Sequence, residues 1–371
     1  MPPRWQAGYD GDVDDMLWLD RLVAGMLAPL AMWVLASGLD DLFLDLCYFY
    51  FRLTRGRRRP RPARGEYPGA EKKIAVLIPA WREDSVIEQM LEHNLAALQY
   101  SNYEVFVGVY PNDLPTLSRV RACEYKWARV HAVLCPHDGP TSKADCLNWV
   151  YQGMLLWEEA NRDRFEILLH HDAEDLIHPQ SLRWIHRHAE RYDMVQVPVL
   201  PLATPCWELT HGVYCDEFAH SHGRELPVRV WLGGFLPSCG VGTAYRRQAV
   251  DRVAWNHGDQ LFQPHLLTED YCMGLELHRL GCSQILLDAG ELGDERGPGA
   301  TREYFPRDFR SAVRQRGRWV AGIALQCWEE IGWNAGRGQW YWLWRDRKGL
   351  LGHPLSVLAN LIFLYGLSGW L

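Results

Sequence analysis

Near its start the chain is continuously apolar; further on, short apolar runs alternate with polar loops. Leu22 to Leu39 carries no charge and is long enough for a helix to cross a bilayer, where Pro29 is tolerated. Leu42 to Leu53 follows Asp40-Asp41 and is interrupted by Asp45. Its Tyr48, Phe49, Tyr50 and Phe51 suit either an interfacial helix or the end of one long tilted helix. From Lys72 the period changes. Ile74–Ile78, Tyr103–Tyr110, Val130–Cys135, Phe165–Leu169, Met194–Leu200 and Gln284–Leu287 predict strands. Helical patterns run through Leu98, from near Ser142, from Ser181, from an N-cap at Thr268 to Leu280, and over Phe309–Glu330. Repeated strand-loop-helix units predict an α/β fold with a mostly parallel sheet and right-handed crossovers. Leu355 to Leu371 is apolar to the last residue and reads as the start of a further span, so the chain reads as a fragment of a longer membrane protein.

Charge adds an orientation. Arg52, Arg55, Arg57, Arg58, Arg59, Arg61 and Arg64, interleaved with Pro60 and Pro62, form a basic linker that the positive-inside rule puts in the cytoplasm with whatever follows it. Asp10, Asp12, Asp14 and Asp15 are unlike the basic start of a cleaved signal peptide, so the anchor is expected to stay attached. The predicted organisation is an anchor over 1–53, a linker over 54–71, a catalytic domain over 72–332, an interfacial segment over 333–354 and the start of a transmembrane helix over 355–371. The net charge of -7 argues against nucleic acid as a partner. The 18 Trp suit a membrane interface or a sugar-binding surface. None of the 10 Cys forms a close pair of the zinc-site kind, and scattered thiols point to a reducing compartment.

The chemistry concentrates where the strand at Phe165–Leu169 ends in His170-His-Asp-Ala-Glu-Asp175. Three carboxylates at the C-terminal end of a strand fit a divalent cation on a nucleotide diphosphate. They fit an acidic helix N-terminus as well. His170 and His171 lack a third His or a nearby Cys and read as packing or supporting groups. Neither G-x-G-x-x-G nor a Walker A pattern is present, so a nucleotide would be held by other means. Glycines at 233, 234, 240 and 242 suggest backbone in close approach to a ligand, or turns.

Pro79-Ala-Trp-Arg-Glu83, Lys143-Ala-Asp-Cys-Leu-Asn148, Asp172-Ala-Glu-Asp175, and Thr268-Glu-Asp270 with Gln315-Arg-Gly-Arg-Trp319 fall in one order. Together they resemble the inverting family-2 glycosyltransferases of GT-A (Rossmann-like) fold, over roughly residues 72 to 330. The likeness is to the processive, membrane-embedded branch of cellulose, chitin and hyaluronan synthases. The His-His-Asp-Ala-Glu-Asp form most resembles bacterial inner-membrane glycosyltransferases of the bacteriophage adsorption protein B type.

The resemblance implies donor contacts from Pro79, Glu83, Asp113, Lys143, Asp172 and Arg318. Mg²⁺ or Mn²⁺ would sit on Asp172 with Glu174 or Asp175, the motif fitting both. Asp270, beside Glu269, would be the catalytic base. Gly240, Gly242, Gln315, Arg316 and Trp319 would line the acceptor site. The implied function is metal-dependent transfer of a hexose or N-acetylhexosamine from a UDP-sugar to a growing exopolysaccharide. Implied partners are a polysaccharide acceptor, membrane lipid and an outer-membrane export or receptor protein, with the enzyme in the bacterial inner membrane. A single-addition transferase using a lipid-linked acceptor, and a silent membrane receptor or scaffold, are the competing readings.

Overall fold

Alternation along the strands decides the architecture. In β1 (Ile74–Pro79) the side chains of Ile74, Val76 and Ile78 enter one core and those of Ala75 and Leu77 another, so the sheet is buried on both faces. The computed structural model describes residues 9–55, 70–293, 297–334 and 336–370. Most of the arginine-rich linker, residues 56–69, lies outside them.

The chain divides into two compact units, 1–53 with 347–371, and 54–346. In the first, α1 (Tyr9–Arg55) is one continuous helix, so the stretch at Leu42–Leu53 is its end and not a separate element.

In the second unit β1 is followed by α2 (Ile87–Ala97), β2 (Tyr103–Val109), α3 (Leu114–Lys126), β3 (Val130–Leu134), α4 (Lys143–Asn161), β4 (Ile167–His170) and α5 (Ser181–His188). Then come β5 (Met194–Gln196), β6 (Val199–Pro201), α6 (Leu209–His220), α7 (Leu226–Trp231), β7 (Thr243–Arg246), α8 (Arg247–Asn256) and α9 (Glu269–Arg279). β8 (Gln284–Leu286), α10 (Ala289–Leu292), β9 (Thr301–Glu303), α11 (Phe309–Trp319), α12 (Cys327–Ile331) and α13 (Trp340–Arg347) complete it, α13 ending at the boundary. In the first unit α14 (Gly349–Trp370) begins ahead of the apolar run at Leu355, and Lys348 pairs with Asp40 at 2.6 Å. Two segments, Trp18–Thr54 and Gly349–Leu367, are long and apolar enough to cross a membrane.

The sheet order is β3-β2-β1-β4-β7-β5-β8, with β7 antiparallel to both its neighbours and the other pairings parallel. α2, α3 and α5 pack on one face, and α4, α8 and α9 on the other. The run at Met194–Leu200 is broken into β5 and β6. Pro198 has no N–H for a ladder, Val197 N–H turns to the Gly242 carbonyl, and β6 pairs with β9 in a separate sheet. The helix over Phe309–Glu330 also departs from regularity, widening into a π-helical stretch over Val320–Gln326 between α11 and α12. Such insertions recur at functional sites.

A buried ion pair ties α7 to α13. Arg229, 2% exposed, makes a two-pronged bond to Asp346 at 2.8 and 2.9 Å and donates to the Phe235 carbonyl, while Tyr271 OH donates to the same carboxylate. Removing one partner strands a buried charge. Asp346→Ala is therefore expected to cost about 3–5 kcal/mol, read as a fall of roughly 10 °C in the thermal midpoint; a loss within about 2 °C would show that the pair is dispensable.

Candidate functional site

β1 and β4 are adjacent and parallel, so the loops after them share one edge of the sheet, where ligands collect in folds of this kind. After β1, Arg82 takes a left-handed φ of 59°, a cost of about 1–2 kcal/mol for a residue with a Cβ. Its N–H donates to Asp113 Oδ2 at 2.6 Å, and the Glu83 N–H donates to Thr116 Oγ1 at 2.9 Å. Asp113 also caps α3 through the Thr116 N–H. It thus ties the two loops together and presents Glu83 beside Asp172. Desolvation first, then the charges of Asp172, Asp113 and Asp84, push the Glu83 carboxyl up to about 7.

After β4 the three acids separate. Asp175 is fully buried; its Oδ2 accepts from His171 Nδ1 at 2.7 Å and from the Asp172 N–H at 2.9 Å. Asn94 of α2 clamps the same turn, donating to the Asp175 carbonyl and accepting from the Ile177 N–H. Asp175 therefore braces the turn through Oδ2, while its Oδ1 is buried without a hydrogen-bond partner, and the neighbouring Glu174 is exposed. Desolvation and then Asp172, Glu83 and Asp175 push the Glu174 carboxyl up to about 7.

The histidines are supporting groups. His170 packs on Tyr245 and Phe262, and burial, with Lys143 and His171, drives it down to about 3.

Lys143 joins this cluster to the next. α4 opens on Ser142, whose hydroxyl accepts from the Asp145 N–H, and this places Lys143 Nζ 2.5 Å from Asp172 Oδ1. Burial alone would lower the ammonium, but Asp172, Glu269 and Asp270 together raise it.

Glu269 and Asp270 begin α9. Thr268 stands at the N-cap position, but its hydroxyl makes no capping bond; it is packed instead against Gly322 of the π-helical stretch, where an added Cβ would come within 2.4 Å of Oγ1. Gly274 seats the other side of α9 on Leu236–Ser238, where a Cβ would meet the Leu236 carbonyl at 2.5 Å. Burial raises Asp270, with Lys143 and the Tyr271 N–H opposing; burial and then Asp270 push Glu269 to about 8.

Gly240 lies directly against Asp270. Its φ is +73°, and a Cβ there would stand 2.6 Å from Asp270 Oδ2. Gly240→Ala should displace the carboxylate and lower kcat by about tenfold or more, with a smaller change in KM for the donor. Steady-state kinetics with unchanged kcat would remove Gly240 from the site. Gly242, also expected at the acceptor, has another cause for its φ of +61°: a Cβ would stand 2.5 Å from Thr301 Oγ1 of β9. It serves the fold.

α11 contributes unevenly. Trp319 meets Tyr214 and Phe218, with ring centroids 6.0 and 6.2 Å away, in a cluster with Val241 and Cys239 on either side of Gly240. Arg316 is ion-paired with Glu217 and lies over the Tyr214 ring at 4.5 Å, both residues of α6. Gln315 Oε1 is buried without a hydrogen-bond partner. Arg318 is exposed. Pro79 ends β1 below the loop.

Glu303 was not apparent in the motifs. It lies on β9, 9% exposed, where burial and the charges of Asp175, Asp172 and Glu174 raise its carboxyl. A surplus of desolvated carboxylates around a single lysine is suited to a hard cation. Among the described residues no three His, Cys, Asp or Glu side chains are spaced to hold a metal by themselves.

Residues 70–322 match the family described as Glycosyltransferase like family 2. The chain is 38% identical over 354 residues to Bacteriophage adsorption protein B of Escherichia coli K12, covering 90% of this chain and 48% of the relative. The same figures hold for Bacteriophage N4 adsorption protein B of Escherichia coli O157:H7. The chain thus spans about half the length of the curated relatives it matches. The mannosyltransferase PcManGT from Pyrobaculum calidifontis, solved with GDP-Man and Mn²⁺, superposes with a TM-score of 0.56 at 16% identity over 91% of both chains. That likeness establishes the GT-A fold.

Proposed function

The chain belongs to glycosyltransferase family 2, and from that premise we propose that it is an inverting, divalent-cation-dependent enzyme that transfers a hexose or N-acetylhexosamine from a UDP-sugar to a growing exopolysaccharide. The observation that carries the reading is the placement of Lys143. Its ammonium is 2.5 Å from Asp172 Oδ1 and is acted on by Glu269 and Asp270 as well. The acids suited to a diphosphate and the acids suited to a proton are therefore neighbours across one cation.

Asp270 accepts the proton of an acceptor hydroxyl as that oxygen attacks the anomeric carbon. The bond from that carbon to the diphosphate breaks, UDP leaves with the electron pair, and the anomeric configuration inverts. Lys143 stabilises the charge gained by the leaving group. Asp172 and Glu174 would hold Mg²⁺ or Mn²⁺, which when bound neutralises charge on the diphosphate. Glu83 and Asp113 shape the nucleoside end, with Pro79 beneath them and Arg318 free to reach the diphosphate. Gly240, Gln315, Arg316 and Trp319 border the acceptor, Trp319 offering a stacking face.

The two apolar helices anchor the enzyme in the bacterial inner membrane, and the basic linker keeps the catalytic domain, residues 72–332, on the cytoplasmic side. Membrane lipid is then a neighbour, and an outer-membrane export or receptor protein receives the product.

UDP release from a panel of UDP-sugars, with GDP-mannose included because PcManGT was solved with it, tests the reading in detergent or membranes with and without Mn²⁺ or Mg²⁺. Cation-dependent turnover of one UDP-sugar, with a long product, is the expected result. A product of fixed short length would identify single addition. No turnover with any donor, in a longer chain as well, would leave a receptor or scaffold.

A further inference from the structure

The base is only as well placed as the loop beneath it, and that loop, Ser238–Thr243, has Val241 packed in the Tyr214–Phe305 cluster but carries Gly240 and Gly242, which have no side chain to hold the backbone beside Asp270. The geometry points to Gln196, at the end of β5, as the residue that positions Asp270 by fixing this loop. The inference rests on Asp270 being the base.

Gln196 is fully buried and every hydrogen-bonding position of its amide is used. Oε1 accepts from the Cys239 N–H at 3.0 Å and from Thr243 Oγ1 at 2.6 Å. Nε2 donates to the Val241 carbonyl and to the Val197 carbonyl, each at 2.8 Å. Three of the four bonds fall on the loop, and they bracket Gly240.

The orientation of the amide is forced by its partners. A backbone N–H can only donate and a carbonyl can only accept, so the oxygen must face Cys239 and the nitrogen Val241 and Val197. The hydroxyl polarity follows. Thr243 spends its proton on Gln196 and accepts from Ser238 Oγ at 3.1 Å; Ser238 accepts from Tyr245 OH at 2.7 Å and from the Gly240 N–H at 3.3 Å. The chain runs one way, from Tyr245 to Ser238 to Thr243 to Gln196, without a spare donor, and a fully satisfied buried network of this kind specifies one conformation. It holds Gly240 where only a hydrogen separates its Cα from the Asp270 carboxylate. No acid of the donor cluster shares these bonds, so the effect should fall on the chemical step.

Gln196→Met keeps the volume and removes all four bonds. We expect kcat for the best donor to fall by about tenfold or more with its KM within about threefold. Mn²⁺-dependent UDP affinity should stay near wild type. Hydrogen exchange of the amides at 239–243 should rise while the segments at 79–84 and 143–148 keep their protection. Thr243→Val, which removes one of the four Gln196 bonds together with the acceptor of the Ser238 hydroxyl, should move the same readouts less and carries the test if the first variant fails to fold; Thr243→Ser should restore them. Unchanged exchange in the loop, or kcat and UDP affinity falling together, overturns the proposal. A wild-type chain without turnover would refute the functional reading alone, because the exchange arm still decides whether Gln196 holds the loop.

Discussion

Asp270→Asn is expected to lower kcat by about 10²–10⁴-fold while UDP and Mn²⁺ still bind. The amide is the same size, so it still fits beside Gly240 and still accepts from the Tyr271 N–H as Asp270 Oδ1 does at 2.7 Å. What it lacks is basicity. The neighbouring acid is a poor substitute. Burial and then Asp270 push Glu269 up to about 8, whereas at Asp270 the Lys143 ammonium, which favours the charged form, is the foremost effect after burial. Glu269→Gln should accordingly cost much less than Asp270→Asn. The same shift sets the pH profile. A base works deprotonated, and the folded Asp270 is raised, so kcat should fall with acidification from a pH above the ordinary carboxylate range. Single-turnover kinetics decide the matter: more than about a tenth of wild-type kcat in the Asn variant, or an acid limb at ordinary carboxylate values, would put the base elsewhere.

What could be read in the sequence was what is local. The short apolar runs gave the strands and the residues after them gave the site edge, because a strand buried on both faces must be apolar throughout and must end where polar groups begin. Glu83, Lys143, Asp172 and Asp270 each stand at the end of a strand or the start of a helix, and they converge once parallel pairing is granted. The rest depended on partners remote in the chain. That Asp175 braces the turn was invisible until Asn94, from α2, closed over its backbone. Pro198 was a visible warning against a single strand at Met194–Leu200. The partner of β6 is β9, a hundred residues on by numbering, and Glu303 comes with it. Gln196 carried no motif at all, since its meaning lies in four bonds that exist only after folding.

Removing the cation site should have an effect second only to removing the base, with a signature in stability as well as in rate. Asp172→Asn loses the charge that pairs with Lys143 at 2.5 Å and half of the proposed carboxylate pair. Charge stabilisation by a bound cation is worth several kcal/mol, so kcat/KM should drop about 10²–10³-fold and the remaining activity should no longer respond to Mn²⁺. Wild-type enzyme stripped with a chelator should behave likewise and recover on repletion. In the metal-free protein the acids themselves report the site. Glu83 and Glu174 move from 4.5 to about 7 on folding, so between those values the folded state binds more protons than the unfolded one. Stability of the metal-free protein must then fall as pH rises through that interval, lowering the thermal midpoint by on the order of a few degrees between about pH 5 and pH 8. Mn²⁺ with UDP should reverse the loss at the upper end, because a cation replaces the protons. Asp172→Asn should flatten the slope even without metal, since the Asp172 charge raises both glutamates. A midpoint that climbs with pH in the metal-free protein, or a slope indifferent to Asp172, would mean that these carboxylates are already compensated and that the cation belongs elsewhere.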